Sequence, residues 1–379
     1  MTINIDCRGN WGLHLMGNTI EGNVVAGTQN SSTPAALFVG AGTTNVIEGY
    51  LNSQWNNQSS VGIAGHLTVK GGVTVTSIGG NQGRWRPFGN SATYANGYLK
   101  VVEKPLTANR LMLERGTLEL AAAGNKAETR GIFISGGLLK TSAANAFKLS
   151  DNNKVKMTGG TWDLCGNDQG VSLFCGNGGT VTSETAAMLH VAYNTYFFDA
   201  NSNPSSNPAL GLGTNATVCT TAFAGGAGLS QEGALDLNIA AVSGTTGTLA
   251  VANGRLIMSR EDGTAKYTGT AFDKTLGSWP AASAVTVTGG VLVVEHATAF
   301  GRQADMTLGP NGTLDLDYSG VMRIHDLYLL DSNGVPVRQP IGGTWGAVGS
   351  GARHTSSLIT GTGQILPVGE GLGATIIIR

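Results

Sequence analysis

The chain has 379 residues, 58 of them glycine, and carries 23 Lys plus Arg against 24 Asp plus Glu, a formal net charge of -1. So even a balance gives no electrostatic ground for a nucleic acid or an anionic membrane surface as partner. The glycines lack the Gly-X-Y period and proline content of collagen, and no run of about 18 apolar residues offers a membrane span.

Residues 1 to about 80 alternate short apolar runs with Gly and Asn: INID, LHLMG, NVVAG, ALFVGAG, NVIEG, VGIAG and HLTVKGGVTVTSIGG. Apolar runs this short, bounded by turn formers, read as strands. The opening MTINIDCRGN has no charged and apolar leader, so the expectation is a processed or excised piece of a longer, exported protein. Three stretches break the rhythm and hold much of the aromatic content: 81–100, 193–217 and 260–283. Insertions of this kind map to loops, often on a binding face. Trp85, Tyr94, Tyr196, Phe197 and Trp279 are therefore candidates for stacking on sugars or a partner. The competing reading folds these rings back onto the body of the protein, and it is favoured because exposed apolar patches are rare without a partner.

Between the interruptions the chain repeats itself. SGGLLKTSAANAF at 135–147 lies over TGGVLVVEHATAF at 288–300, and a five-residue ending recurs as GTLEL at Gly116, GTWDL at Gly160, GALDL at Gly233 and GTLDL at Gly312. With a period of two, each ending puts Leu118 and Leu120, Trp162 and Leu164, Leu235 and Leu237, or Leu314 and Leu316 on one face and an acid on the other. Internal similarity, short strands and glycine punctuation predict an all-β solenoid whose turns bury one another's apolar faces. A right-handed parallel β-helix is the simplest such object. One elongated domain is expected, with less regular coils over 1–110, repeat-bearing coils over 111–316 and a capping segment over 317–379.

The segments TGGVLVV…ATAFG, PNGTLDL and GTWDLCGNDQGVSLFCGNGGTVT resemble the autotransporter-associated β-strand repeat. That resemblance covers about 111–368 and implies a β-helix within a large, secreted, passenger-type surface protein of bacteria. The stretch LYLLDSNG, the GTWG turn and GTGQILPV resemble the close of such an array, and Asp-Ser-Asn-Gly at 331–334 is a hairpin turn in its own right.

Glu119, Asp163, Asp236 and Asp315 are two to four coils apart, about 10–19 Å at ~4.8 Å per stacked strand. They cannot share a substrate bond. Asp315 and Asp317, at i and i+2, would stand ~6.8 Å apart on one strand, within the range for a glycosidase pair, but no deep cleft accompanies them. His14, His66, His190, His296, His325 and His354 are scattered, with no metal-type pair at helical or strand spacing. Cys7, Cys165, Cys175 and Cys219 allow three fully paired connectivities. Cys165 and Cys175 each precede Gly-Asn and are suited to pair in an oxidising space; the other reading is four small buried residues. No CxxC spacing supports zinc. The calcium nonapeptide is absent because Ser230 stands where Asp is required, although a calcium at some Asp- and Asn-bearing turn is compatible with the composition.

The sequence thus points to an extracellular or cell-surface structural or adhesive protein, with no catalytic, cofactor or metal residues assigned. Its expected partners are copies of itself, joined end to end through TINID and ATIIIR, or surface glycans and host surfaces. The rival reading is a glycan-binding or polysaccharide-degrading β-helix, including a tailspike-like one.

Overall fold

A computed structural model of the chain describes residues 5–8, 13–27, 37–55, 61–77, 85–88, 92–151, 153–176, 178–192, 197–198, 204–205, 216–219, 221–233, 236–260, 264–267, 270–273 and 276–369. The described residues form an all-β protein of short strands. Their only helical turns are Ala92–Tyr94 and Leu149–Asp151, of three residues each.

Pairing is overwhelmingly parallel and joins segments roughly 20 residues apart, the spacing of a repeat unit. One column of paired positions runs Leu67, Leu99, Leu118, Leu139, Trp162, Val181 and Phe223. A second runs Leu189, Leu229, Leu249, Val285, Met306 and Leu327. A third runs Leu237, Leu256, Leu292, Leu314 and Ile359. All of these side chains are buried. The long steps from Leu67 to Leu99, from Val181 to Phe223 and from Leu256 to Leu292 are where the three interruptions are accommodated without breaking a column. Two of them contain small antiparallel hairpins, Phe197–Phe198 with Pro204–Ser205 and Thr264–Tyr267 with Thr270–Asp273. The architecture is consistent with a β-solenoid. Thr180–Val191 and Ala284–Val294 each pass from one column to the next through a register shift, so the connected sheet is not a barrel of side-by-side strands.

The predicted strand phase holds for the leucines: Leu118, Leu120, Trp162, Leu164, Leu237, Leu314 and Leu316 have no exposed surface, while Leu235 lies outside the described residues. The four five-residue endings, however, fall on two different columns. Leu118 and Trp162 share the first, whereas Leu237 and Leu314 share the third. There GALDL is slipped by two residues against GTLDL, since Leu237 aligns with Leu314 and Asp236 with Thr313. What repeats is a local corner, used on more than one side of the coil.

That corner explains the glycine. Gly116, Gly137, Gly160 and Gly179 stack on one another with φ of +67°, +69°, +71° and +76°, in the left-handed region that glycine enters without a Cβ penalty. A Cβ on Gly160 would also come within 2.7 Å of the Gly136 carbonyl oxygen. Each corner carbonyl accepts the first amide of the next turn, as from Leu138 to Gly116 at 2.9 Å and from Thr161 to Gly137 at 3.0 Å. At another corner side-chain amides take over this work. Asn125 Oδ1 accepts from the Leu106 amide at 2.7 Å and Asn153 Oδ1 from the Ala127 amide at 3.0 Å, while Asn153 Nδ2 donates to the Asn125 carbonyl. Buried backbone groups that lack a strand partner are thereby satisfied.

Inside, Phe147, Trp162, Phe174, Phe223 and Trp279 form a spine with successive centroids 5.7, 6.3, 6.4 and 5.1 Å apart. Toward the end of the described residues the pattern changes. Leu327–Leu330 folds back on Pro336–Arg338 around the 331–334 turn, where Asp331 Oδ1 accepts from the Asn333 and Val335 amides. Gln364–Pro367 then pairs in parallel with Val321–Ile324 and antiparallel with Trp345–Gly346. The expected hairpin and closing strand are both present.

Leu314→Ala should cost about 2–5 kcal/mol as a buried truncation, and Gly160→Ala about 1–3 kcal/mol from backbone strain. Asp315→Ala, half-exposed beside Leu314, should cost no more than about 1.5 kcal/mol for its one hydrogen bond. Urea unfolding of the three variants checks the ranking, and equal losses for Leu314→Ala and Asp315→Ala would contradict the strand phase.

Candidate functional site

Of the aromatic candidates, Trp85 and Trp279 have no exposed surface and form parallel bridges to Leu111 and Phe300. Both indoles are part of the stack, as the favoured fold-back reading expects, which removes them as candidate stacking faces for a ligand. The interruptions return to the body through these residues, and their large apolar area is what anchors the return. Tyr94 is half-buried against the core and lies over Gly62, where an added Cβ would come 3.0 Å from its hydroxyl oxygen. Tyr196 lies outside the described residues. Phe197 is described only by its backbone pairing with Ser205.

Of the repeat acids, Glu119, Asp163 and Asp315 are occupied, while the Asp236 side chain lies outside the described set. Glu119, expected on the outer face, is only 7% exposed. Tyr98 Oη donates to its Oε2, Ser142 Oγ donates to Oε1 at 2.7 Å, and Lys100 Nζ lies 3.0 Å from Oε1. Register explains this convergence. Lys100 pairs with Glu119, and Glu119 with Lys140, so the partners come from neighbouring turns. Burial pushes the carboxyl upward, but the Tyr98, Ser142 and Lys100 contacts outweigh it and hold Glu119 below the usual carboxylate range. Burial, with the adjoining carboxylate, in turn raises the Tyr98 phenol. Asp315 Oδ1 accepts from Thr360 Oγ1 at 3.0 Å, while Asp317, past the end of the strand, lies 3.9 Å from the Arg260 guanidinium. Each acid is engaged with a different partner.

A cleft of about 580 Å³ opens along one corner, lined by Asn145, Asn167, Asp168, His190 and Glu232 among others. A second, of about 340 Å³, shares Asp168 and Ala186 with it and continues past Glu184 and Thr246. Within the first, His190 Nδ1 contacts Glu232 Oε1, which also accepts from Ser230 Oγ at 3.1 Å. Serine, histidine and glutamate are thus together, but in the wrong order for nucleophilic catalysis. An activated serine donates to the imidazole with the acid behind it, whereas here the hydroxyl and imidazole both address the carboxylate. The arrangement presents a polar, hydrogen-bonding wall. Asp168 contributes to its shape by accepting the Met188 amide at 2.7 Å.

Cys165 is a free thiol held in a left-handed conformation, φ +51°, with its amide donating to Asp163 Oδ1. Burial and the adjacent Asp163 push the thiol up to about 11, which leaves it protonated and a poor nucleophile at neutral pH. The side chains of Cys7, Cys175 and Cys219 lie outside the described set. Asp305, His325 and Asp326 are the one group of described side chains in which three metal-ligating atoms lie within 4.8 Å of one another. Sequence spacing searched at strand or helix periods misses this group, because Asp305 is one coil from the adjacent His325 and Asp326. No helix among the described residues is long and apolar enough to cross a membrane.

No family model, no curated protein and no solved structure matches this chain.

The Glu119 network makes a signed pH prediction. A carboxyl depressed by folding adds stability above its unfolded value, about 4.3, and loses it as pH falls through the folded value. Glu119→Gln should therefore lower stability by about 1.5–3 kcal/mol near neutrality. The gap to the native protein should close as pH drops below about 4. Thermal unfolding from pH 7 to pH 3 checks this, and a gap that widens on acidification would contradict it.

Proposed function

We propose that this chain is a right-handed parallel β-helix with a structural and adhesive role, part of an exported, passenger-type surface protein. The observation that carries the reading is the fate of its polar side chains. Glu119, Asp315 and the corner amides Asn125 and Asn153 are bound to neighbouring turns. They reinforce the stack rather than converge on a reacting bond. The GGxL and GTLDL segments, which resemble autotransporter-associated repeats, support export and display at a cell surface. A solenoid stabilised by nearest-neighbour contacts tolerates long insertions between turns, and on this reading the 193–217 and 260–283 interruptions are the segments assigned to the presented surface.

End-to-end association belongs to this reading. Ile5–Arg8 pairs with Val24–Gly27 on one side and with no other described strand. A strand edge without a partner would recruit another chain by strand addition, and the ATIIIR segment lies outside the described residues.

A second reading, glycan binding without turnover, draws on the corner cleft with its Asn145, Asn167, Asp168 and Glu232 lining. Sedimentation velocity with negative-stain microscopy, run beside a glycan array, separates the two. The structural reading expects concentration-dependent end-to-end species and no release of reducing ends from any polysaccharide. A strictly monomeric rod at high concentration would count against association, and turnover abolished by Glu232→Gln would overturn the structural reading.

A further inference from the structure

Asp305, His325 and Asp326 meet where the regular stack gives way to the mixed pairing near residue 327. Asp305 opens the strand Asp305–Leu316, and His325 and Asp326 occupy the corner one turn later, since Met306 pairs with Leu327. Backbone hydrogen bonds fix all three. The Asp305 amide donates to Ser283 at 3.1 Å, the His325 amide to Ala304 at 2.9 Å, and the Met306 amide to the Asp326 carbonyl at 2.8 Å, while Gly369 donates to the His325 carbonyl at 2.8 Å. Ligands mounted on an immobilised backbone lose little freedom on binding.

His325 Nδ1 lies 2.7 Å from Asp305 Oδ1 and 3.6 Å from Asp326 Oδ2. Ligand atoms around a tetrahedral ion with bonds of ~2.0–2.1 Å stand about 3.3 Å apart, so each of these two separations is within about an ångström of that geometry. The Asp326 carboxylate is nearly buried. Arg338 donates to its other oxygen, Oδ1, at 2.7 Å, and Tyr328 Oη donates to Oδ2 at 3.3 Å. This leaves lone-pair capacity on Oδ2. An outer-shell donor that orients a ligating carboxylate is a recurring feature of protein metal centres. Asp305 and His325 remain part-exposed, with side-chain exposures of 42% and 30%, which provides an entry path and room for water in the remaining positions.

We propose that Asp305 Oδ1, His325 Nδ1 and Asp326 Oδ2 form a binding site for a divalent transition ion of the zinc class. The donor set decides the class. An imidazole nitrogen beside two carboxylates suits Zn²⁺ and its neighbours, whereas Ca²⁺ takes six to eight oxygens and Mg²⁺ keeps most of its water. Ligation through Nδ1 replaces the hydrogen bond between His325 and Asp305. The dication then sits against two carboxylates balanced by the single guanidinium of Arg338. Bound there, it ties the 305 turn to the 325 turn and to the Leu327–Arg338 hairpin.

Isothermal titration of the full chain with ZnCl₂ in a non-chelating buffer tests the site. One saturable equivalent is expected, weakened at least about tenfold in Asp305→Asn and in His325→Gln, and unchanged in His190→Gln. Co²⁺ in place of Zn²⁺ should give visible d–d absorption that His325→Gln removes. Because Asp305 is part-exposed, Asp305→Asn keeps the test valid even if His325→Gln unfolds. Absence of a saturable equivalent, or binding unchanged in Asp305→Asn and in any folded His325 variant, would overturn the proposal and mark zinc uptake as adventitious.

Discussion

Parallel, in-register hydrogen bonding between backbone segments one turn apart is the constraint on which the rest of this structure depends. A buried amide or carbonyl without a partner is costly, and in a parallel stack the partner is always supplied by the turn above or below. Once that register is set, identical faces lie over one another. Leu118, Leu139 and Trp162 form a column because their backbones pair, and the column then excludes water along its length. Apolar burial and hydrogen bonding reinforce the same geometry, turn after turn.

The corners are where the constraint is hardest to meet. A strand cannot bend sharply and keep its ladder, so the chain uses two devices. Glycines such as Gly137 and Gly160 enter the left-handed region and let carbonyls approach at distances a Cβ would forbid. Elsewhere Asn125, Asn153 and Gln169 replace missing backbone partners with their side-chain amides, as when Gln169 Oε1 accepts the Phe147 amide at 2.9 Å. The same logic reaches the outer face. Lys100, Glu119 and Ser142, on successive turns, are brought together by register and become a bonded network.

Much of this was legible in the letters, for definable reasons. Period-two alternation found the inward leucines, and Asp-Ser-Asn-Gly found the hairpin at 331–334, because both signals are local. Glycine clusters marked the turns, but the stacking of Gly116, Gly137, Gly160 and Gly179 emerges only from the register. What escaped depended on the lateral period. The slip of GALDL against GTLDL is invisible in a motif alignment, since register is decided by pairing and not by likeness of letters. Glu119 was placed outward correctly, but its burial arises from Tyr98 and Ser142 on adjacent turns. Trp85 and Trp279 sit in polar, irregular stretches that look like loops; their return to the body was the favoured reading, but not that they mark where those loops rejoin the stack. Asp305 meets the adjacent pair His325 and Asp326 because one coil separates it from them, a spacing that neither a strand nor a helix search tests.

The central claim is the register itself, and cross-linking measures it most directly. Thr286 and Thr307 are paired, outward-facing neighbours on adjacent turns, whereas Ala284 pairs with Asp305 and stands two residues out of register with Thr307. Paired positions on adjacent strands lie ~4.8 Å apart, within disulfide reach. Mild oxidation of the folded Thr286→Cys/Thr307→Cys protein should close an intramolecular disulfide rapidly. The Ala284→Cys/Thr307→Cys protein should remain reduced on the same timescale. Preferential closure of the second pair would contradict the in-register parallel stack on which the account rests.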